Sequence, residues 1–240
     1  MICPHCEKPY LFISPKDKQT LVCLKCDFRT SFTPPNYDCY HQNLYTKDSY
    51  QRTPETDPQM KKILKTLDIK PDSRVLDIGC GVGDYTHAVH THYSENIIGI
   101  DMNITAAKKK YPNIDFSDHD CNLPLPFPDH SFDFVIAINI IEHLLCFENF
   151  LTECSRVLKK NAMIALTTAN LNFFLHRYFY DQTHLHEWDL YEFQTKLQPY
   201  FQPVITEKSS AMFKYYPFNF FLRHVFKPDL LFIGKKLCNK

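Results

Sequence analysis

Residues 75–85 read VLDIGCGVGDY, and the apolar run in this stretch passes directly into a glycine-rich turn. The three glycines alternate, at positions 79, 81 and 83. Glycine adopts positive φ angles at little cost and lets the backbone lie close to a ligand. A buried strand, such a turn and a following helix form the first crossover of a nucleotide-binding α/β sheet. The stretch predicts a nucleoside-type ligand, although its G-x-G-x-G spacing differs from the G-x-G-x-x-G of dehydrogenases.

A second apolar run supports this interpretation. Residues 97–100 read IIGI and lead into Asp101, which lies about 20 residues beyond the glycine turn. At the tip of a second strand, a carboxylate can accept hydrogen bonds from both hydroxyls of a ribose. The glycines alone would also suit a tight structural turn, and the acid at this spacing favours ligand binding instead.

These two segments resemble the class I S-adenosylmethionine-dependent methyltransferases. Further segments similar to this family follow in the family's order: residues 123–135 (LPLPFPDHSFDFV), 141–144 (IEHL), 153–160 (ECSRVLKK) and 181–188 (DQTHLHEW). The last of them resembles a segment found in many small-molecule methyltransferases. Residues 161–162 read NA where the family usually has two glycines. The resemblance covers about residues 55–236.

Alternating strand and helix patterns predict a doubly wound, Rossmann-like α/β fold, in which helices cover both faces of a mostly parallel sheet. Strands are expected near residues 73–79, 96–101, 113–118, 131–138, 161–168, 203–208 and 229–234. Helices are expected near residues 55–68, 84–92, 103–110, 146–158 and 188–199. The resemblance implies a seven-stranded sheet whose last two strands form an antiparallel end. We expect three parts: a zinc ribbon (1–32), a linker or lid (33–54) and a methyltransferase domain (55–240).

Four of the ten cysteines form two C-x2-C pairs with sixteen residues between them: Cys3, Cys6, Cys23 and Cys26. This spacing is typical of a structural zinc site. Four thiolates fill a tetrahedral coordination sphere and leave no position for water, so the predicted zinc is structural rather than catalytic. Strand-like runs at 10–13 and 20–22 fit a zinc ribbon. Unligated cysteines or a redox pair are the alternatives.

The composition gives no indication of export or of a general affinity for nucleic acid. The formal net charge is zero, and hydrophobic residues make up 44% of the chain, which is enough for a sizeable core. The start, MICPH, lacks the basic and apolar regions of a signal peptide. No apolar run approaches the ~20 residues of a membrane-spanning helix. We therefore expect a cytoplasmic protein with reduced cysteines.

The resemblance also implies which residues bind the methionine and ribose parts of S-adenosylmethionine. The methionine part would lie against the backbone of Gly79, Gly81 and Gly83. Asp77 corresponds to the acid that orients this part in the family. Asp101 would bind the ribose hydroxyls as a charged acceptor of two hydrogen bonds.

The remaining cofactor contacts are expected at the ends of the neighbouring strands. Met102 would pack on the adenine, Asp120 would contact its amino group, and Cys121 would offer a backbone N–H nearby. Asp118 is the rival of Asp120, because a shift of one or two residues in the match is enough to exchange them. Asn139, at the end of the fourth strand, would face both the cofactor and the acceptor. Asp and Asn also favour helix caps and turns, which is the alternative explanation of these positions.

Methyl transfer to a hydroxyl requires a base as well as alignment of the reacting groups. Histidine is the natural candidate because its imidazole titrates near neutral pH. His143, His184 and His186 are the candidates; His143 has a structural role as its alternative. His184 and His186 would share a face of an extended segment. With Glu187 or Asp181 they could instead bind a metal ion.

Two aromatic stretches, residues 171–180 and 213–226, fall where the resembled family builds its acceptor pocket. Residues 208–240 hold seven Lys and Arg against one acid. Such a composition fits a hydrophobic pocket with a solvated rim, a peripheral membrane contact or an RNA surface. The pocket is the interpretation that we favour.

The predicted function is transfer of a methyl group from S-adenosylmethionine to a small, partly apolar acceptor, at oxygen rather than nitrogen. An RNA methyltransferase is the alternative, because a zinc ribbon ahead of this domain resembles the ribosomal RNA guanine methyltransferases. Residues 1–50 carry six Lys and Arg and five acids, a balance that is poor for binding phosphates. A non-catalytic protein that binds S-adenosylmethionine is a third possibility, and the intact glycine and aspartate motif disfavours it.

Overall fold

The computed structural model of the chain describes residues 11–13, 20–23, 29–31, 53–54, 56–172, 184–209 and 229–237. Three of the predicted zinc ligands, Cys3, Cys6 and Cys26, lie outside the described residues, and Cys23 is described only as the end of a strand. The predicted linker up to residue 52 and most of both aromatic stretches also lie outside them. Those expectations stay predictions.

The N-terminal part contains a small antiparallel sheet. Its strands are β1 (Leu11–Ile13), β2 (Thr20–Cys23) and β3 (Arg29–Ser31), in the order β1-β2-β3. Both strand-like runs of the predicted ribbon are therefore strands, and they pair with each other. This backbone is compatible with the ribbon but does not test the metal.

The second sheet has seven strands, as predicted. Its elements are, in chain order, α1 (Pro58–Leu67), β4 (Val75–Ile78), α2 (Asp84–His92), β5 (Ile97–Asp101), α3 (Thr105–Lys110), β6 (Asp115–Asp118), β7 (Phe132–Ile138), a 3-10 helix (Ile141–His143), α4 (Phe147–Val157), β8 (Leu158–Ala169), α5 (Leu190–Leu197), β9 (Phe201–Ser209) and β10 (Asp229–Lys236).

The strand order in this sheet is β6-β5-β4-β7-β8-β10-β9. Neighbouring strands from β6 to β8 are parallel, and β10 is antiparallel to both of its neighbours. The predicted antiparallel end is thus confirmed. Strand β4 is buried at all four positions because it lies between two parallel strands with helices on both faces.

Two hydrophobic layers sandwich the sheet. One is formed with the apolar sides of α1 and α2, which include Met60, Ile63 and Val89. The other is formed with α4 and α5, which include Leu151 and Phe193. Apolar residues that recur every three to four positions form one face of each helix, and this face is buried against the sheet. The doubly wound arrangement predicted from the alternating pattern is confirmed.

Local sequence signals explain where several elements begin. The side chain of Asp57 caps α1 by accepting hydrogen bonds from the backbone N–H groups of Gln59 and Met60, at 2.9 and 3.1 Å. Pro58 occupies the first position of this helix, where its missing N–H costs nothing. Asn161, which replaces a family glycine, has φ = 63°, a left-handed conformation that Asn tolerates better than most residues. The departure from the family pattern therefore preserves the backbone.

Arg156 fixes the chain that precedes β7. Its guanidinium donates to both carboxylate oxygens of Glu153, to Asp129, and to the carbonyl oxygens of Leu125 and Phe127, at 2.7–2.9 Å. A planar guanidinium can serve several acceptors in fixed directions at once. Arg156 therefore links the end of α4 to the chain that leads into β7.

In the part of the chain that the structure describes, no helix has the length and apolar character needed to cross a membrane.

Candidate cofactor and acceptor site

The glycine turn joins the carboxyl ends of β4 and β5. The backbone N–H groups of Gly79 and Cys80 both donate to the carbonyl oxygen of Ile100, at 2.8 and 3.0 Å. Gly79 and Gly83 have φ angles of 69° and 83°. A Cβ atom at Gly83 would also lie 2.7 Å from the ring of Phe116. Glycine is therefore required here both by conformation and by space.

Asp101 binds the turn directly. Its Oδ2 accepts a hydrogen bond from the backbone N–H of Gly81 at 2.9 Å, and its Oδ1 accepts one from Asn103 at 3.0 Å. A carboxylate has about four acceptor positions, so two remain for other donors. The structure thus brings together the glycines and the acid that the sequence paired 20 residues apart. Met102, the predicted adenine contact, follows Asp101 and is 52% exposed.

Asp77 lies beneath the turn at the end of β4. Its side chain is 2% exposed, and its Oδ2 accepts a hydrogen bond from the hydroxyl of Thr86 in α2 at 2.6 Å. The pKa of Asp77 is raised to about 7, chiefly because the carboxyl is buried; the hydrogen bonds from Thr86 oppose this rise, and the nearby carboxylates of Asp101 and Asp84 add to it. Asp77 is therefore a titratable group poised near neutral pH. The contact of Thr86 with Asp77 could not be predicted from the sequence, because threonine is common in helices and nothing in the pattern marks this one.

Asp84, at the start of α2, has a structural role that the sequence did not indicate. It binds the ammonium of Lys110 at 2.6 Å and accepts a hydrogen bond from the hydroxyl of Tyr111 at 2.9 Å. These contacts join the start of α2 to the end of α3. The start of α2, which follows the glycine turn, is thus anchored to the end of α3.

The two aspartates proposed for adenine differ in their surroundings. Asp118 is exposed and lies opposite Asp101 in the pairing of β5 and β6. Asp120 is half-buried, and its Oδ1 accepts two hydrogen bonds from Asn122, both at 2.9 Å. Cys121, the residue after Asp120, is buried, and this burial raises the pKa of its thiol to about 12. Cys121 is thus a thiol rather than a nucleophile, and both aspartates remain candidates.

Asn139 terminates β7 in a left-handed conformation with φ = 52°. Its Oδ1 accepts a hydrogen bond from the hydroxyl of Thr167 in β8 at 2.7 Å, and its backbone N–H donates to the same residue. The next residue, Ile140, has side-chain atoms 3.0 Å from the position of a Cβ on Gly79. The end of β7 therefore packs directly against the glycine turn. Thr167 was not found from the sequence, because it is 28 residues away from its partner.

Two of the predicted histidines, His143 and His184, form a cluster with Glu142, three residues after Asn139. One ligand-type atom from each of Glu142, His143 and His184 lies within 4.8 Å of the others. The rings of His143 and His184 meet edge to face, with centroids 5.0 Å apart. His184 Nδ1 lies 3.7 Å from Oε1 of the buried Glu187. Glu142 and Glu187 join the predicted histidines in one cluster, although only their neighbours were singled out as bases.

His184 and His186 do not share one environment, contrary to expectation. The segment bends at Leu185, whose N–H donates to the carbonyl oxygen of Glu142 at 2.8 Å. His186 is buried and stacks on Trp188, with ring centroids 5.5 Å apart. Phe147 contacts the same imidazole edge to face. The bend thus directs His184 to the cluster and His186 into the aromatic core.

The raised pKa of Asp77 predicts a specific dependence of stability on pH. Its carboxyl keeps a proton in the folded state up to about pH 7, whereas the unfolded chain releases it near pH 4. The stabilising contribution is complete below pH 4 and is lost as pH rises through 7, by up to about 4 kcal/mol. Asp77→Asn removes this loss. Urea unfolding should therefore show the variant gaining stability relative to the wild type between pH 5 and pH 8.

The control for this measurement is Asp115→Asn, which changes an exposed aspartate at the opposite end of the sheet. Its stability should follow the wild type at every pH. Parallel pH profiles for Asp77→Asn and the wild type would show that Asp77 titrates normally.

Comparisons with known proteins agree with this geometry. Residues 76–166 match the family described as a methyltransferase domain. A ubiquinone biosynthesis O-methyltransferase of Rhodopseudomonas palustris is 30% identical over 171 residues, which cover 62% of this chain and 65% of the relative. The 24-methylenesterol C-methyltransferase 2 of Arabidopsis thaliana is 33% identical over 105 residues, which cover 40% and 29%. The chain spans less than two thirds of the length of the curated relatives that it matches.

Solved structures show the same fold. The YcgJ protein of Bacillus subtilis has a TM-score of 0.59 at 20% identity, and the similarity covers 75% of this chain and 98% of that one. At this identity the likeness establishes architecture alone. Residues 76–166 therefore match a methyltransferase domain, and the seven-stranded sheet that contains them has the fold of these solved structures.

Proposed function

We propose that the protein transfers a methyl group from S-adenosylmethionine to a small, partly apolar acceptor, at oxygen rather than nitrogen. The observation that carries the proposal is the junction of Gly81 and Asp101 at the carboxyl ends of β4 and β5. Ligands of open α/β sheets bind at this edge. The names of the relatives, one an O-methyltransferase and one a C-methyltransferase, support a small acceptor.

The residues at this edge fit the proposed cofactor. Gly79 and Gly83 have positive φ angles, which larger residues adopt only with strain. The carboxylate of Asp101 has acceptor positions left for the ribose hydroxyls. S-Adenosylmethionine would supply a methyl group carried on a positively charged sulfur. A lone pair of the acceptor forms the new bond to the methyl carbon, and the electrons of the broken C–S bond stay on sulfur, which leaves as a neutral thioether. Asp77 lies under the turn, where its carboxylate would favour a nearby positive charge. Met102, Asp120 and Cys121 would complete the adenine side.

The acceptor would bind on the side of Asn139, His143 and His184. Asn139 would face both reactants; its side chain is held by Thr167, and the next residue, Ile140, packs on the glycine turn. His184 would take the proton of an acceptor hydroxyl at a ring nitrogen, and Glu187 would stabilise the resulting imidazolium. The aromatic segments after β8 and before β10 would close the pocket over this side and exclude water.

We also propose that the N-terminal sheet is a zinc ribbon, with Cys3, Cys6, Cys23 and Cys26 as ligands. The two C-x2-C pairs and the three short antiparallel strands support this assignment. A unit of this size has too little apolar surface to fold by burial alone, so the metal would supply its stability.

Cofactor binding is the first test. Wild-type protein should bind S-adenosylmethionine with micromolar affinity in calorimetry, which corresponds to about 8 kcal/mol. Asp101→Asn should weaken binding by about 2 kcal/mol, or roughly 30-fold, because it removes a charged acceptor. Asp115→Asn should bind like the wild type, since that exposed residue is at the far end of β6. A wild type that binds no cofactor would refute the proposed function.

The acceptor side is tested by His184→Ala. This variant should lose turnover by about 100-fold or more, while its affinity for the cofactor changes little, because proton transfer contributes to the transition state. His90→Ala is the matched control. It changes a half-buried histidine in the last turn of α2 and should be fully active. Filter binding with structured RNA in rising salt separates the alternative acceptor. Tight, salt-sensitive RNA binding, with no transfer to phenolic, lipid or sugar hydroxyls, would favour an RNA substrate.

Elemental analysis tests the zinc ribbon. We expect one zinc per chain, and its loss in the double variant Cys3→Ser/Cys6→Ser. The sheet domain of that variant should still melt cooperatively, because its two hydrophobic layers, in the part of the chain that the structure describes, are built from residues 60–233. Protein purified without chelators that contains no metal would contradict the assignment.

A further inference from the structure

Glu142 places a carboxylate inside the protein next to two imidazoles. Its side chain is 1% exposed, and its Oε2 has no hydrogen-bond partner among the described residues. One ligand-type atom of each of Glu142, His143 and His184 lies within 4.8 Å of the others. Buried carboxylates are normally paired with a positive charge or coordinate a metal. We propose that these three residues bind one divalent transition-metal cation.

The donor set suits such a cation. Two imidazole nitrogens and one carboxylate oxygen are the ligands of several catalytic zinc sites and of other divalent transition metals. Zinc ligands lie at about 2.0–2.2 Å from the metal, so tetrahedral neighbours are about 3.4 Å apart. The three ligand atoms lie within 4.8 Å of one another, so binding the cation would draw them closer together. Magnesium and calcium, which prefer oxygen ligands, fit this set less well.

The surroundings support the ligands in the way that metal sites require. Metal-binding histidines commonly have a carboxylate against the second ring nitrogen, which fixes the orientation of the ring. Glu187 Oε1 lies 3.7 Å from His184 Nδ1, so Nε2 would bind the cation. The carbonyl oxygen of Glu142 also accepts the N–H groups of Leu185 and His186, at 2.8 and 3.1 Å. These bonds fix the two ligand segments to each other.

Three protein ligands leave a coordination position open, as in catalytic sites. Glu142 follows Asn139 and Ile140, and Ile140 packs on the glycine turn. The open position would take an oxygen of the acceptor, and the cation would lower the pKa of a bound hydroxyl. In that state His143 and His184 would hold the metal, and the proton would pass to water. Only this last step rests on the proposed methyl transfer; the metal site itself does not.

The test uses Co2+ with the full chain as purified, so that any zinc on the cysteines stays in place. We expect one Co2+ per chain to bind with a visible spectrum typical of nitrogen and oxygen ligands. The intense near-ultraviolet band of thiolate ligation should not appear. Glu142→Gln, which keeps the shape of the side chain, should weaken binding at least tenfold. Glu95→Gln changes an exposed glutamate and should bind Co2+ like the wild type.

Thermal melting provides a second measurement that does not depend on activity. A ligand that binds the folded state raises the melting temperature, so Co2+ should stabilise the wild type but not Glu142→Gln. Without metal, the variant should melt close to the wild type, because Gln keeps the shape of the side chain and the buried position. Equal Co2+ binding by Glu142→Gln and the wild type, or no binding by either, would overturn the proposal. Neither measurement contains S-adenosylmethionine or acceptor, so failure here leaves cofactor binding and methyl transfer as separate questions.

Discussion

The hydrogen bond from the Gly81 N–H to Asp101 Oδ2 is the contact on which the proposed cofactor site depends. It connects the turn after β4 to the end of β5, and two further backbone bonds to Ile100 reinforce the same junction. The turn can approach β5 this closely because Gly79 and Gly83 accept positive φ angles. A ligand with a ribose would meet the same carboxylate that holds the loop. Asp101 would therefore hold the glycine turn and bind the ligand with the same carboxylate. Its remaining acceptor positions would set how many hydrogen bonds the ligand can make.

Asp77 shows what this arrangement costs. A carboxyl group at the end of a fully buried strand has lost its hydration, and the hydroxyl and backbone N–H of Thr86 replace only part of it. An apolar residue at this position would be expected to stabilise the strand. A positively charged ligand above the turn would instead favour the ionised form and recover part of the lost free energy. Strained or poorly solvated groups of this kind are found where function opposes stability.

The sequence predicted the fold and the meeting of the glycine turn with Asp101 because the signals for both are local. Strand β4, the glycines and Asp101 lie within 27 residues, and each has a distinct pattern of apolar residues, glycines or acids. The prediction of β8 was less accurate: it begins at Leu158, directly after α4, three residues earlier than expected. The reason is that the helix passes into the strand without a loop, so no turn residue marks the boundary. The Thr86 and Thr167 contacts were not predictable, because they join residues whose types are common in helices and strands.

The proposed acceptor side, with Asn139, His143 and His184, is harder to predict because its residues are far apart in the sequence. Its groups come from the end of β7, from β8 and from the segment at 184–188, which only the parallel crossover of the sheet brings together. The pattern of alternate histidines suggested that His184 and His186 act as a pair. The bend at Leu185 separates them, and the carbonyl of Glu142 fixes that bend. His184 therefore lies with Glu142, His143 and Glu187, whereas His186 packs against Phe147 and Trp188, so alternation along the chain was a poor guide to which side chains meet.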